Sequence, residues 1–146
     1  MTNDVNYNVT DGRAEIELDR PDVMNAYTED TLIELNHAVE KAVDDKSVYV
    51  ILLTGNGPGF CTGRDLRAGT KSDYRLSEAE RLNKVASVMR HLYVGRKPSI
   101  AVINGPAVGG GMELALSCDF RLMTDESFFR DGHVNAGFTP ATGGSW

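Results

Sequence analysis

Cysteine is scarce in this sequence, and the two that occur, Cys61 and Cys118, lie far apart with no CxxC pair. That spacing signals neither a zinc site nor a disulfide framework, and both are read as reduced thiols. No apolar run approaches the roughly 20 residues that a membrane-spanning helix requires. The opening MTNDVNYNVTDG has neither the basic start nor the apolar stretch of a secretory signal, so the expected location is the cytoplasm with no membrane partner. Positive charge is in the minority: fifteen Lys and Arg stand against twenty-one Asp and Glu, a formal net charge of −6. The basic residues are scattered rather than gathered into a stripe, which disfavours nucleic acid as a partner. What is present, 41% hydrophobic and 25% charged side chains over 146 residues, is the composition of one soluble globular domain with a real core.

Ala14, Ile16 and Leu18 alternate with polar residues at the period of a half-buried strand, which Pro21 ends. With NYNVT ahead of Asp11-Gly12, this segment makes a hairpin. Thr28 offers an N-cap, Glu29 and Asp30 suit a first turn, and Leu32, Leu35, Val39 and Ala42 recur at helical spacing up to about Asp45. The run from Val48 to Thr54 is apolar, β-branched and too short for a typical helix, and reads as a strand covered on both faces. Ser77-Glu78-Ala79-Glu80 spells a capping box before Leu82, Val85, Met89 and Leu92, predicting a second helix that runs to Gly95. SIAVI at 99–103 reads as another buried strand, followed by a turn at Asn104-Gly105-Pro106 and a helix directly behind three glycines. This alternation of strands and helices predicts an α/β fold with mostly parallel strands. The closing FRDGHVNAGFTPATGGSW ends in a glycine turn with no final helix, as though cut inside a unit.

Two glycine-rich loops, GNGPGFCTGRDL and NGPAVGGG, each follow a buried strand. Glycine lets backbone N–H groups approach a ligand, and a helix start adds unpaired donors, so negative charge is favoured there. Neither loop fits phosphate binding of the nucleotide type: the first lacks a GKS or GKT ending, and the second is not GxGxxG. The remaining reading is an oxyanion hole, in which donors from two loops converge on an oxygen that gains charge during reaction. A Ser-His-Asp hydrolase is disfavoured because no GxSxG turn is present.

PDVMNAYT after the first hairpin, FCTGRDL after VYVILLT, and INGPAVGGGMELALSCD together resemble three successive signature segments of the crotonase (enoyl-CoA hydratase/isomerase) superfamily, in order and over nearly the whole chain. The resemblance implies a spiral of ββα turns, with residues 1–146 forming a single core domain that is incomplete at its C-terminus and lacks the helical region with which relatives close the site. It implies an acyl-CoA substrate, coenzyme A entering as part of the substrate, with no separate cofactor and no metal. A homotrimer or hexamer is implied for a full-length form; 146 residues alone would leave apolar surface exposed. The implied oxyanion donors are the backbone N–H groups of Arg64, at a position that is often small in such proteins, and of Gly110. Asp65, Leu66, Ala107, Val108 and Gly109 are implied to line the thioester and acyl chain, although Leu66 by itself reads rather as a core leucine, and Asp65 has the alternative reading of a turn carboxylate.

Glu113 matches the glutamate that activates water in family hydratases. The second family glutamate, counted back from Gly137, is replaced here by His133, a residue whose unperturbed pKa near neutrality suits proton transfer. Asp131 would orient that imidazole if a strand placed both side chains on one face. His37 and His91 fall on amphipathic helices and read as surface residues. The reaction implied first is addition of water to a 2-enoyl-CoA, shared between Glu113 and His133. Double-bond isomerisation, carbon–carbon hydrolysis and a non-catalytic acyl-CoA-binding role stay open.

Overall fold

The computed structural model describes residues 3–68, 76–137 and 139–140. The glycine turn expected at Gly143-Gly144 and Trp146 lie outside the described residues. Strands β1 (Val5–Thr10) and β2 (Arg13–Leu18) form the expected hairpin. Its two-residue turn places Asp11 at φ 51° and Gly12 at φ 78°, the left-handed pair whose twist matches that of the flanking strands. Helix α1 (Glu29–Asp44), strand β3 (Val50–Gly55), helix α2 (Glu78–Tyr93) and strand β4 (Ser99–Ile103) follow, then a short β5 (Ala107–Val108), α3 (Gly110–Leu116), β6 (Phe120–Met123) and β7 (Phe129–Arg130). The main sheet has the order β1-β2-β3-β4-β6, antiparallel only at the first pair, while β5 and β7 pair separately in parallel.

Both long helices begin with reciprocal caps. At α1 the Thr28 hydroxyl takes the Thr31 N–H while the Thr31 hydroxyl takes that of Thr28, a closure in which threonine stands where glutamate or glutamine is usual. At α2 the Ser77–Glu80 box forms as its spelling predicts. The inner stripe of α1 buries Leu32, Leu35, Val39 and Ala42. On α2 the stripe is rotated from the expected one: Val85, Met89 and Leu92 are buried, but Val88 takes the inner place expected for Leu82, which is exposed. These residues pack on Ala14, Ile16, Leu18, Ile51, Leu53, Ala101 and Ile103 from alternating positions of β2, β3 and β4 to make one core. Both cysteines lie in that core, and burial pushes each thiol up to about 12, so neither is an available nucleophile.

Two expectations need correction, and one strand is not announced by the sequence. β3 and β4 are not covered on both faces: alternate residues are only half-buried, and Leu52, Thr54 and Val102 line an open concavity with Asn6, Asn8, Glu15 and Glu17. An unbroken apolar run reports hydrophobicity and says nothing of whether a second layer is there to cover it. β6 carries no alternation at all, its four residues being exposed, so nothing in its sequence announces a strand; pairing with β4 makes it one. His37 is exposed as expected, whereas His91 is half-buried and its Nδ1 has no hydrogen-bond partner among the described residues.

Candidate active site

The segment after β2 organises the site. Met24 and Asn25 adopt left-handed backbone at φ 53° and 55°. This turns the buried Asn25 side chain under the first glycine loop, where its amide donates to Asn56 O at 2.9 Å and Gly59 O at 2.7 Å, while its Oδ1 accepts from Arg20 N at 2.8 Å. From the other side Asn104 donates to Gly55 O and Gly57 O, both at 2.8 Å. Two amides from distant positions thus fix loop carbonyls that no regular ladder satisfies. Arg20 completes the frame, reaching Ala26 O and the Asp65 carboxylate (3.3 Å).

Tyr27 then runs parallel to Arg64: its N–H donates to Gly63 O at 2.8 Å, and its carbonyl accepts from Asp65 N at 2.9 Å. The second loop docks on the first through Val108 N–H to Cys61 O at 2.9 Å. The loops also meet at Gly63, where φ is +84° and any Cβ would stand 3.1 Å from Gly110 N and 3.0 Å from Val108 O. The Arg64 and Gly110 backbones are therefore brought to one place from opposite loops. Helix α3 enters this place closely, since a Cβ on Gly111 would lie 2.0 Å from Cys61 O.

Glu113 sits in the first turn of α3, 3% exposed, with its N–H on Gly109 O at 3.0 Å. Its Oε2 is 3.6 Å from His133 Nε2. The imidazole is set by Asp131, whose Oδ1 accepts from both His133 N–H (3.0 Å) and Nδ1 (2.7 Å). Because a carboxylate only accepts, Nδ1 carries a proton, and Nε2 is the nitrogen turned to Glu113. The two hydrogen bonds from His133, backbone first, hold the Asp131 carboxyl below the usual carboxylate range. Asp131 and His133 meet through a tight turn ahead of a 3-10 turn at Val134–Ala136, not along a strand as the sequence suggested.

The structure therefore gathers Arg64, Gly109, Gly110, Glu113 and His133. Ala107 lies fully buried beneath them in the core, and Val108 is half-buried. Asp65 turns inward to Arg20 and to Arg67 N–H (3.0 Å), whereas Leu66 is 61% exposed and not a core leucine. Arg20, Asn25 and Tyr27 were not singled out in the sequence, because their partners are distant along the chain. Among the described residues no cluster of His, Cys, Asp and Glu has the makings of a metal site, and no helix is long and apolar enough to cross a membrane.

Residues 8–146 match the family model described as Enoyl-CoA hydratase/isomerase. A protein of Mycobacterium bovis named probable enoyl-CoA hydratase is 37% identical over 135 residues, which are 86% of this chain and 46% of that protein. A crotonyl-CoA hydratase of Syntrophomonas wolfei is 37% identical over 134 residues, 90% of this chain and 51% of its own length. The chain thus spans about half the length of these curated relatives. Among solved structures, an enoyl-CoA hydratase from Mycobacterium avium subsp. paratuberculosis matches with a TM-score of 0.89 and 27% identity, covering 99% of this chain and 57% of that one. An enoyl-CoA hydratase/isomerase from Xanthobacter autotrophicus matches with a TM-score of 0.84 and 30% identity, covering 94% and 52%. With the ββα core, the paired glycine loops and Glu113 in place, the chain belongs to the enoyl-CoA hydratase/isomerase (crotonase) family.

Proposed function

We propose that this chain carries the site of a hydratase that adds water to a 2-enoyl-CoA thioester. The observation that carries the reading is the Glu113–His133 contact of 3.6 Å beside two converging backbone loops. Glu113 takes a proton from water as its oxygen bonds to C3. The displaced electron pair moves through C2 to the thioester oxygen, which the N–H groups of Arg64 and Gly110 receive. The resulting enolate then collapses, its C2 taking the Nε2 proton of a His133 imidazolium whose Nδ1–H stays on Asp131, and the proton that Glu113 took from water restores the imidazolium. Leu66, exposed beside the first loop, offers apolar surface to the substrate's thioester arm, with Val108 and Gly109 shaping the other side.

Mixing the chain with crotonyl-CoA is expected to bleach the conjugated enoyl absorbance and yield the 3-hydroxyacyl thioester. Migration of a 3-enoyl double bond without hydration would assign isomerisation instead. Release of a shorter acyl chain from a β-diketone would assign carbon–carbon hydrolysis, and binding by calorimetry without turnover would assign a carrier role.

Asp131→Asn tests the proton arrangement. The amide keeps the volume but removes the negative charge that faces Nδ1–H and stabilises the doubly protonated ring, so kcat is expected to fall about tenfold or more, with KM little changed, if His133 transfers a proton. The sign of the pH effect follows from the lowered Asp131 pKa: the contact contributes above the unfolded carboxylate value and is lost as pH falls through the lower folded value. Activity of the unsubstituted chain should therefore keep an oriented imidazole into mild acid, and that of the variant should not track this carboxylate at all.

A further inference from the structure

We propose that Tyr27 is a third hydrogen-bond donor at the oxyanion site, its hydroxyl completing the contacts to the thioester oxygen; this deepens the acyl-thioester reading and rests on it. Tyr27 is tied to both halves of the hole. Its backbone makes the two hydrogen bonds that flank Arg64, through Gly63 O and Asp65 N. Its ring lies across Gly110, so close that a Cβ there would stand 2.1 Å from the hydroxyl oxygen and 3.0 Å from Cζ.

The residue is only 8% exposed, yet its hydroxyl makes no hydrogen bond to any group among the described residues. That oxygen is not among the enclosed polar atoms that lack a partner, so it keeps access to solvent at the meeting point of the two donor loops, where its O–H is available to a group that arrives from outside. Asn25, two residues earlier, shows the contrast: it is 1% exposed and has its amide and carbonyl oxygen both engaged. The proton needed for donation is secure. Burial first, then the Cys61 thiol and the Glu113 carboxylate, push the phenol well above its ordinary pKa, against the opposing pull of Arg64. A neutral phenol loses nothing by approaching a thioester carbonyl and gains most when that oxygen becomes an enolate, which is the condition for lowering a barrier rather than merely tightening binding.

Tyr27→Phe keeps the ring, the Gly110 contact and every backbone bond, and removes only the donor. It is expected to lower kcat on crotonyl-CoA about 10- to 100-fold, with KM changed less than threefold and an unaltered melting temperature. Independently of turnover, an arylacryloyl-CoA whose absorbance moves to the red when its carbonyl is polarised should show a smaller red shift on the variant than on the unsubstituted chain. An equal red shift and unchanged kcat would overturn the inference alone. A lowered melting temperature would also overturn it, by revealing an internal partner for the hydroxyl. No red shift with the unsubstituted chain would overturn the acyl-thioester reading and this inference together.

Discussion

Glu113→Gln is expected to lower kcat for crotonyl-CoA hydration by about 10² to 10⁴, the range for loss of a positioned general base, while KM changes little. The side chain is 3% exposed and faces His133 Nε2 at 3.6 Å, so the amide occupies the same volume but cannot accept a proton from water. Near-wild-type hydration by the variant would remove Glu113 from the chemistry. His133→Gln should give a loss of the same order. The double variant should fall far short of the product of the two, because base and acid serve one addition across C2 and C3 and act as a unit. Stopped assays of enoyl absorbance on the three proteins, with melting temperatures as the control for folding, decide the matter.

Gly63→Ala is expected to cost as much by a different route. The glycine holds φ +84°, a left-handed conformation that costs an L-residue roughly 1–2 kcal/mol. Its added methyl would also lie 3.1 Å from Gly110 N and 3.0 Å from Val108 O, against one of the two N–H groups proposed to receive the thioester oxygen. Loss of a single oxyanion donor typically costs 10² to 10³ in kcat. The expected result is a fall of that size together with a lower melting temperature, in contrast to Glu113→Gln, which should leave the melt largely intact. Unchanged turnover in Gly63→Ala would mean that the two loops do not form the hole.

The features legible in the sequence are those written within a few consecutive residues. The Asp11-Gly12 turn, the Ser77–Glu80 box and the inner stripe of α1 stand where local spacing puts them. Glycine loops at the ends of β3 and β4, and Glu113 behind the second, follow from motif order. What could not be read depends on partners that sequence distance hides. β6 is a strand only because β4 offers an edge to pair with, and Val88 displaces Leu82 only because of where α1 and the sheet lie. Asp131 reaches His133 through a turn, a contact the sequence allowed but placed on the wrong backbone. Leu66 shows the same limit in reverse, a large apolar residue that the loop holds outside the core. The roles of Asn25 and Tyr27 emerge only when residues 25–27, 59–65 and 110 are in one place.

One oxygen of Asp131 receives both the backbone N–H and the ring Nδ1 of His133. The ring is thereby oriented against its own backbone, and turning it over would break the Nδ1 contact, so that nitrogen is already committed. Such a ring has a single open port. In the proposed hydration, every proton the ring gives would return through the nitrogen it left by, so the ring could not be recharged from behind while an acyl chain was bound. Recharging would then wait for product to leave or for Glu113 to hand back what it took, making the proposed cycle a closed exchange between two groups that face each other.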